Sequence, residues 1–451
     1  MPSSLRRDIV SAYLVTASRI LAWITVTASI SRAAGAFGFG LLALVNSTVG
    51  ILEYAAIGLS PAIIRVTAEA LEKMRDEGHE SPADSQRAHP LVTAVYANGF
   101  AMALLTALLG GVFLAIFVAW FKTTPSNRDS GDVAFELVLM VGAATLIRML
   151  GDAAGAVLQT RHQIFLDNLL LTMHEVIWSA GTVICLELLH WHWQRATGVP
   201  LLVGSILLLI LRLIFSHRYG SGLFDRWWKF VQWDTLRRLL IFGGLVVAAQ
   251  MADYLYAPTD YIIIGKLLNI QTLGNYAPAV LIDTGALTVS SALATVLLPR
   301  TALAHAAGEG KLVREYYLRG TIATFLLLLI AAPILWLAAP RIFQIWLGNP
   351  MPVTCAILPL MLIHTVVGGS SAVGRAILLA VGKVRPFTMA VLISGVANVV
   401  LSYSFVKFLH LGLRGIVLGT IVAVVGRCAI WMPWYVLKVL NESQEPNEPV
   451  L

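Results

Sequence analysis

What most constrains this chain is a series of continuous apolar runs, each about twenty residues long, recurring from end to end with short polar gaps. A helix needs roughly that length to cross the hydrocarbon of a bilayer, because it rises only about 1.5 Å per residue. Twelve such runs can be drawn, the first two at about 9–30 and 36–62, the seventh and eighth at about 239–264 and 275–298, the last at about 415–437. Only 13% of the 451 residues are charged and 58% are hydrophobic, whereas soluble domains carry about 25% charged residues. Lipid is therefore the expected solvent. A membrane β-barrel is excluded, since barrel strands alternate apolar and polar residues and these runs do not.

Arg6 and Arg7 precede the first run, but that run is too long for a cleavable signal core and no small-residue cleavage site follows, so it reads as a retained span. Lys and Arg gather in the N-terminal tail and in the segments 63–90, 217–238 and 299–316, which places both termini in the cytoplasm by the positive-inside rule. Cys185, Cys355 and Cys428 lie inside apolar runs at no metal-like spacing. No disulfide framework, metal or cofactor is expected. The net charge of +7 is spread over many loops, which gives no basis for a nucleic-acid partner.

The chain also repeats itself. Ser60-Pro61 through Lys73 aligns with Leu298-Pro299 through Lys311, and Arg161-x-x-x-Phe165 corresponds to Lys383-x-x-x-Phe387. Two six-helix lobes are expected, 1–216 and 239–437, joined by an amphipathic cytoplasmic linker at 217–238 and followed by a tail at 438–451. Six spans return each lobe to its starting side, so the repeats are parallel. The expected architecture is an all-α polytopic membrane protein of about twelve transmembrane helices in two lobes around a central cavity, which is a transporter architecture.

Ionisable residues inside spans are the candidate functional groups, because each costs about 2.5–3.5 kcal/mol at a helix centre on insertion scales. Arg19 lies deep in the first span, too far from either end to snorkel easily. Arg148 and Asp152 stand one turn apart in the fourth span and can neutralise each other. Arg375 follows the small-residue run Val366–Gly374, with no acid within a turn on its own helix. Arg212 and Arg427 are nearer to span ends and are expected to snorkel. Asp253 and Asp260 lie about two turns apart on one face of the seventh span, with the helix-bending Pro258 between them. A bent helix with two carboxylates on one side is a candidate cation or proton site. Glu53, Glu175, Glu187 and Asp283 are further acids inside spans.

Enzyme signatures are absent: there is no phosphate-binding Gly-Lys-Ser/Thr motif, no HExxH stretch and no His/Cys cluster. The first external loop, Ser31–Phe37, holds no acid, unlike the loops of membrane glycan polymerases and ligases. No enzymatic activity is expected.

The segments Ala33–Gly40, Gly58–Arg65 and Asp260–Ala277 resemble polysaccharide (O-antigen type) flippases. These belong to the multidrug/oligosaccharidyl-lipid/polysaccharide exporter (MOP) superfamily. Leu297-Leu-Pro299, Ile345-Trp-Leu-Gly348, Gly382–Pro386 and Gly412–Ile416 continue the series in order over nearly the whole chain. The resemblance implies alternating access in a bacterial inner membrane. The implied substrate is an undecaprenyl-pyrophosphate-linked glycan, moved from the inner to the outer leaflet for surface polysaccharide such as lipopolysaccharide. It also implies a proton or sodium ion as coupling ion and contact with other polysaccharide assembly proteins. Ser18-Arg19-Ile-Leu looks like the first-helix Ser-Arg-Val-Leu of the related lipid II flippases, whose arginine meets the pyrophosphate. The chain departs from that group by having Thr25 where a second arginine stands and by lacking two further spans. On this reading Arg19, Arg375 and Arg148 hold the pyrophosphate, and Asp253 and Asp260 bind the coupling ion. The alternatives are a multidrug or small-cation antiporter of the same superfamily and, in a different class, a membrane glycan polymerase or ligase.

Overall fold

The computed structural model describes residues 3–57, 59–60, 62–64, 66–67, 70, 90–123, 131–161, 163–219, 227–306 and 309–442. Among the described residues every regular element is helical. Nine helices among the described residues are long and apolar enough to cross a membrane. One of them, Tyr13–Leu52, covers most of the first two expected spans. With the seventh and eighth, the twelve expected spans are accounted for.

The chain divides into two compact units. The first comprises Met1–Gly35 and Val45–Met251, the second Ala36–Leu44 and Ala252–Leu451. α1 (Ser3–Ile57) is therefore shared between them, and it is broken where the sequence places its Gly-rich reversal: Gly35 has φ 60° and ψ −157°. Side chains rarely tolerate that backbone region, whereas glycine enters it freely. The first unit continues with α2 (Pro90–Thr123), α3 (Gly131–Thr160), α4 (Ile164–Val183), a π-helical turn Ile184–Leu188, α5 (Trp193–Tyr219), a 3-10 turn Trp227–Phe230 and α6 (Trp233–Tyr254). α3 runs along α5, with α2 against α3 and α4 against α5. Ala153, Ala154 and Ala156 of α3 are fully buried, and such small residues let helix backbones approach closely in lipid. Leu239 of α6 joins this core beside Ile63, Tyr96 and Val157. That burial explains why the first unit runs past residue 239, where the second lobe was expected to open.

The linker is fastened by one side chain. Asn98 of α2, fully buried, donates to the Phe230 carbonyl at 3.3 Å and accepts from the Gln232 N–H at 3.2 Å. Trp228 and Trp233 on either side are exposed. Residues 220–226 of the linker and 443–451 of the tail lie outside the described residues.

The second unit contains α7 (Ala257–Leu267), α8 (Ile270–Ala306), α9 (Gly310–Leu347), α10 (Pro352–Ser370), α11 (Ala372–Ala380), α12 (Val384–Lys407), α13 (Gly412–Val425), a π-helical turn Gly426–Trp431 and α14 (Met432–Glu442). Its core joins Val313, Tyr317, Val373, Ile377, Met432 and Val436. Pro258 lies in the first turn of α7, so the seventh span is two helices, α6 and α7. On α9, Ile322, Ile330, Ile334 and Leu337 are more than half exposed. A face like that suits lipid and would be a liability in water.

The two lobes turn between their fourth and fifth spans in the same way. Gln163 N–H meets the Leu158 carbonyl at 2.8 Å, and Lys383 N–H meets that of Leu378 at the same distance. Gln163 and Lys383 also occupy the residue before the next helix with similar dihedral angles. This pairs Gln163 with Lys383, a register two residues away from the expected match of Arg161 with Lys383. Hydrogen bonds define the turn, whereas the sequence match rested on an aromatic that each copy places differently. The segment around Lys73 lies outside the described residues.

Candidate functional site

In the first unit, Arg19 is not alone. Its Nε donates to Glu175 Oε1 on α4 at 3.3 Å. The arginine side chain is 55% exposed and the glutamate 5%. One turn further along both helices, Trp23 meets Trp178 edge-on at 5.2 Å. Towards the N-terminus, Asn168 donates to Ser11 at 2.9 Å and Arg7 lies over the Phe165 ring at 5.0 Å. α1 and α4 are thus joined by a polar seam along their length. Glu175 also feels the positive charge of the half-buried Arg148 of α3. His174 Nδ1 is 3.9 Å from Glu175 Oε1, and its Nε2 is 3.2 Å from Ser205 Oγ of α5.

Arg212 corrects an expectation. It does not snorkel: its side chain is 5% exposed and binds Asp167 at 2.8 Å and Asp152 at 3.1 Å. Gln159 donates to the other oxygen of Asp167 at 2.8 Å. Asp152, paired in the sequence reading with Arg148, is thus held by Arg212 from α5. Two acids from two helices compensate one buried guanidinium better than a single pair, because every buried charge needs partners in low dielectric.

In the second unit, Asp260 is fully buried. It accepts hydrogen bonds from Tyr276 of α8 at 3.0 Å, Asn398 of α12 at 3.3 Å and Thr420 of α13 at 3.1 Å. These three partners are neutral. Ser402 Oγ lies within hydrogen-bond reach of both Asn398 Oδ1 and the Ile416 carbonyl, and Thr420 also reaches that carbonyl at 3.2 Å. One hydroxyl proton cannot serve two acceptors at once, so anionic and carbonyl oxygens converge here with too few protons. Asp253 falls near the end of α6 and Asp260 in the first turn of α7. The break between them removes the shared helical face, and the Asp253 side chain lies outside the described residues.

A second buried acid, Asp283 of α8, accepts a short hydrogen bond from Thr365 and lies 3.5 Å from His364 Nε2 of α10. Arg375 is exposed and sits 5.7 Å over the Phe387 ring. Arg427 sits 5.0 Å over Tyr256, within the π-helical turn of the twelfth span, a distortion frequent at functional sites. No group of three metal-binding side chains occurs among the described residues. The sequence reading did not single out Glu175, His174, His364, Asn398 or Thr420. Each is a polar residue deep in an apolar span, and only the packing shows which of them converge.

The class follows from the fold. Two units of membrane-length helices, built on matching turns, define a multi-pass membrane protein. The chain superposes on an inward-facing multidrug resistance MATE family transporter of the MOP superfamily with TM-score 0.76, 13% identity and coverage of 98% of this chain and 99% of that one. On the lipid II flippase MurJ in an inward closed conformation the TM-score is 0.70, at 15% identity over 97% and 90%.

Sequence narrows the class. Residues 199–354 match the family described as polysaccharide biosynthesis protein. The "Uncharacterized membrane protein EpsK" of Bacillus subtilis is 22% identical over 424 residues, 92% of this chain and 79% of that one. These findings bear out the resemblance to polysaccharide-flippase-type members of the MOP superfamily.

Proposed function

We propose that this chain is a flippase for a polyprenyl-pyrophosphate-linked oligosaccharide. It moves that substrate from the inner to the outer leaflet of the bacterial cytoplasmic membrane by alternating access, with both termini in the cytoplasm, for surface polysaccharide assembly. The observation that carries this reading is Arg19: a cation deep in a membrane-spanning helix, more than half exposed, and held by Glu175 through its Nε. A guanidinium presents five donors in a fixed fork, the geometry that recognises phosphate oxygens bidentately. Arg148 and Arg375 are its proposed helpers, and the polyprenyl chain needs only the bilayer. Asp260 is the proposed coupling-ion residue, since its buried carboxylate has only neutral hydrogen-bond partners and takes up a proton or sodium ion most economically. Asp253 remains its proposed companion. The family description, which concerns polysaccharide biosynthesis, supports the same substrate class.

Glycan export in cells lacking the chromosomal copy is the test. Arg19→Ala and Asp260→Asn should each reduce export at least about tenfold at unchanged protein level, the loss of roughly 1.4 kcal/mol or more of binding, while Arg19→Lys should keep part of it. Full export by Arg19→Ala overturns the headgroup assignment.

A second reading has its own support. The similarity to a MATE transporter and the buried acids Asp260 and Asp283 suit an antiporter of small organic cations. Reconstituted vesicles that accumulate an organic cation, with no polyprenyl-pyrophosphate glycan co-purifying from the membrane, would favour it.

A further inference from the structure

Glu175 holds the cation assigned above to the headgroup, and its surroundings show how that hold is relieved. Its carboxylate is buried, so it cannot be left without a partner when Arg19 turns to another anion; the penalty for an uncompensated buried charge is severe. Two other groups face it. Arg148 approaches from α3, and His174, its neighbour on α4, approaches through Nδ1 at 3.9 Å. One arrangement of hydrogens satisfies both contacts of Ser205. With its Oγ donating to the Leu201 carbonyl at 2.8 Å, it accepts from His174, and Nε2 carries the hydrogen. In that arrangement the bare lone pair of Nδ1 faces a carboxylate, which is repulsive until a proton lies between them. With Arg19 on Glu175, that repulsion is offset. Once Arg19 leaves, a proton from water on Nδ1 converts it into an attraction.

We propose that Glu175 is a built-in competitor for Arg19, displaced by an anionic headgroup, and that the His174–Glu175 pair takes up one proton from solution as this happens. The proposal rests on the headgroup reading of Arg19. It makes substrate binding and proton binding linked events inside the first unit. The groups involved are Arg19 on α1, Arg148 on α3, His174 and Glu175 on α4, and Ser205 on α5.

Farnesyl pyrophosphate is a suitable probe, titrated calorimetrically into the full chain in detergent, in buffers of different ionisation enthalpy so that protons exchanged are counted. Glu175→Gln should bind about fivefold tighter, the removal of one partly exposed ion pair. It should take up about one proton fewer per ligand than the unmodified protein. His174→Gln should bind more weakly, also with about one proton fewer, and Arg19→Ala should lose binding. A gain of affinity is not what a folding defect produces, and His174→Gln decides the matter if Glu175→Gln fails to fold. If the unmodified chain binds the probe while both variants match it in affinity and proton count, this inference falls and the headgroup reading stands. If no variant binds, the headgroup reading falls and takes the inference with it.

Discussion

Arg212 shows what a single buried charge demands of a membrane domain. It draws Asp152 and Asp167 from two other helices, and removing it leaves Asp167 with no exposed surface and without its cation. Breaking such a group costs about 3–5 kcal/mol, whereas replacing the whole of it with apolar side chains is often neutral. Arg212→Met should therefore lower thermal stability in detergent sharply. Arg212→Met combined with Asp167→Leu and Asp152→Leu should recover most of the loss, as read from unfolding temperature. Arg19 stands at the other extreme: its partner is buried but it is itself more than half exposed. An arginine left exposed by its own domain is free to meet a ligand. The sequence located both arginines inside spans and ranked Arg19 as the deeper, but it assigned Arg212 to the interface. Depth along a helix can be counted from the chain, while the side a neighbour covers cannot.

At the scale of helices, the second unit is shaped by contacts that leave no room for a side chain. A Cβ at Gly274 of α8 would overlap the carbonyl of Ala36, and one at Gly40 would press on the Ile270 carbonyl. The two helices touch backbone to backbone, the kind of approach that small residues permit in lipid, where apolar side chains gain nothing by leaving hydrocarbon. This contact ties Ala36–Leu44 to the second unit although it lies within the first helical stretch. Gly274→Leu should separate the helices and cost about 1–3 kcal/mol, as overpacking does, seen as a lower unfolding temperature and lower yield. The seventh span makes a related point. Pro258 was read from sequence as a bend, and it starts a new helix. The break sets Asp260 on α7 among donors from α8, α12 and α13, a convergence that no local spacing encodes.

For the molecule as a whole, the pattern of Lys and Arg predicts that both termini and the 217–238 linker face the cytoplasm. Single cysteines introduced near residue 234 and in the C-terminal tail, in a background without Cys185, Cys355 and Cys428, should be protected from a membrane-impermeant thiol reagent in intact cells and labelled after permeabilisation. Labelling from outside at either site would reverse the assigned orientation. The helical class, the number of spans, the two-lobe plan and the Gly35 break all follow from local rules, because bilayer thickness fixes span length and glycine alone enters that backbone region freely. The sequence by itself therefore determined a multi-pass helical protein and pointed to the superfamily whose fold it shares. Only the tertiary structure decided that Glu175 holds Arg19, that Arg212 is buried between two acids, and that Asp260 is ringed by neutral donors. Those are meetings between residues far apart in the chain, and in low dielectric a buried charge is settled by the neighbours that packing brings to it.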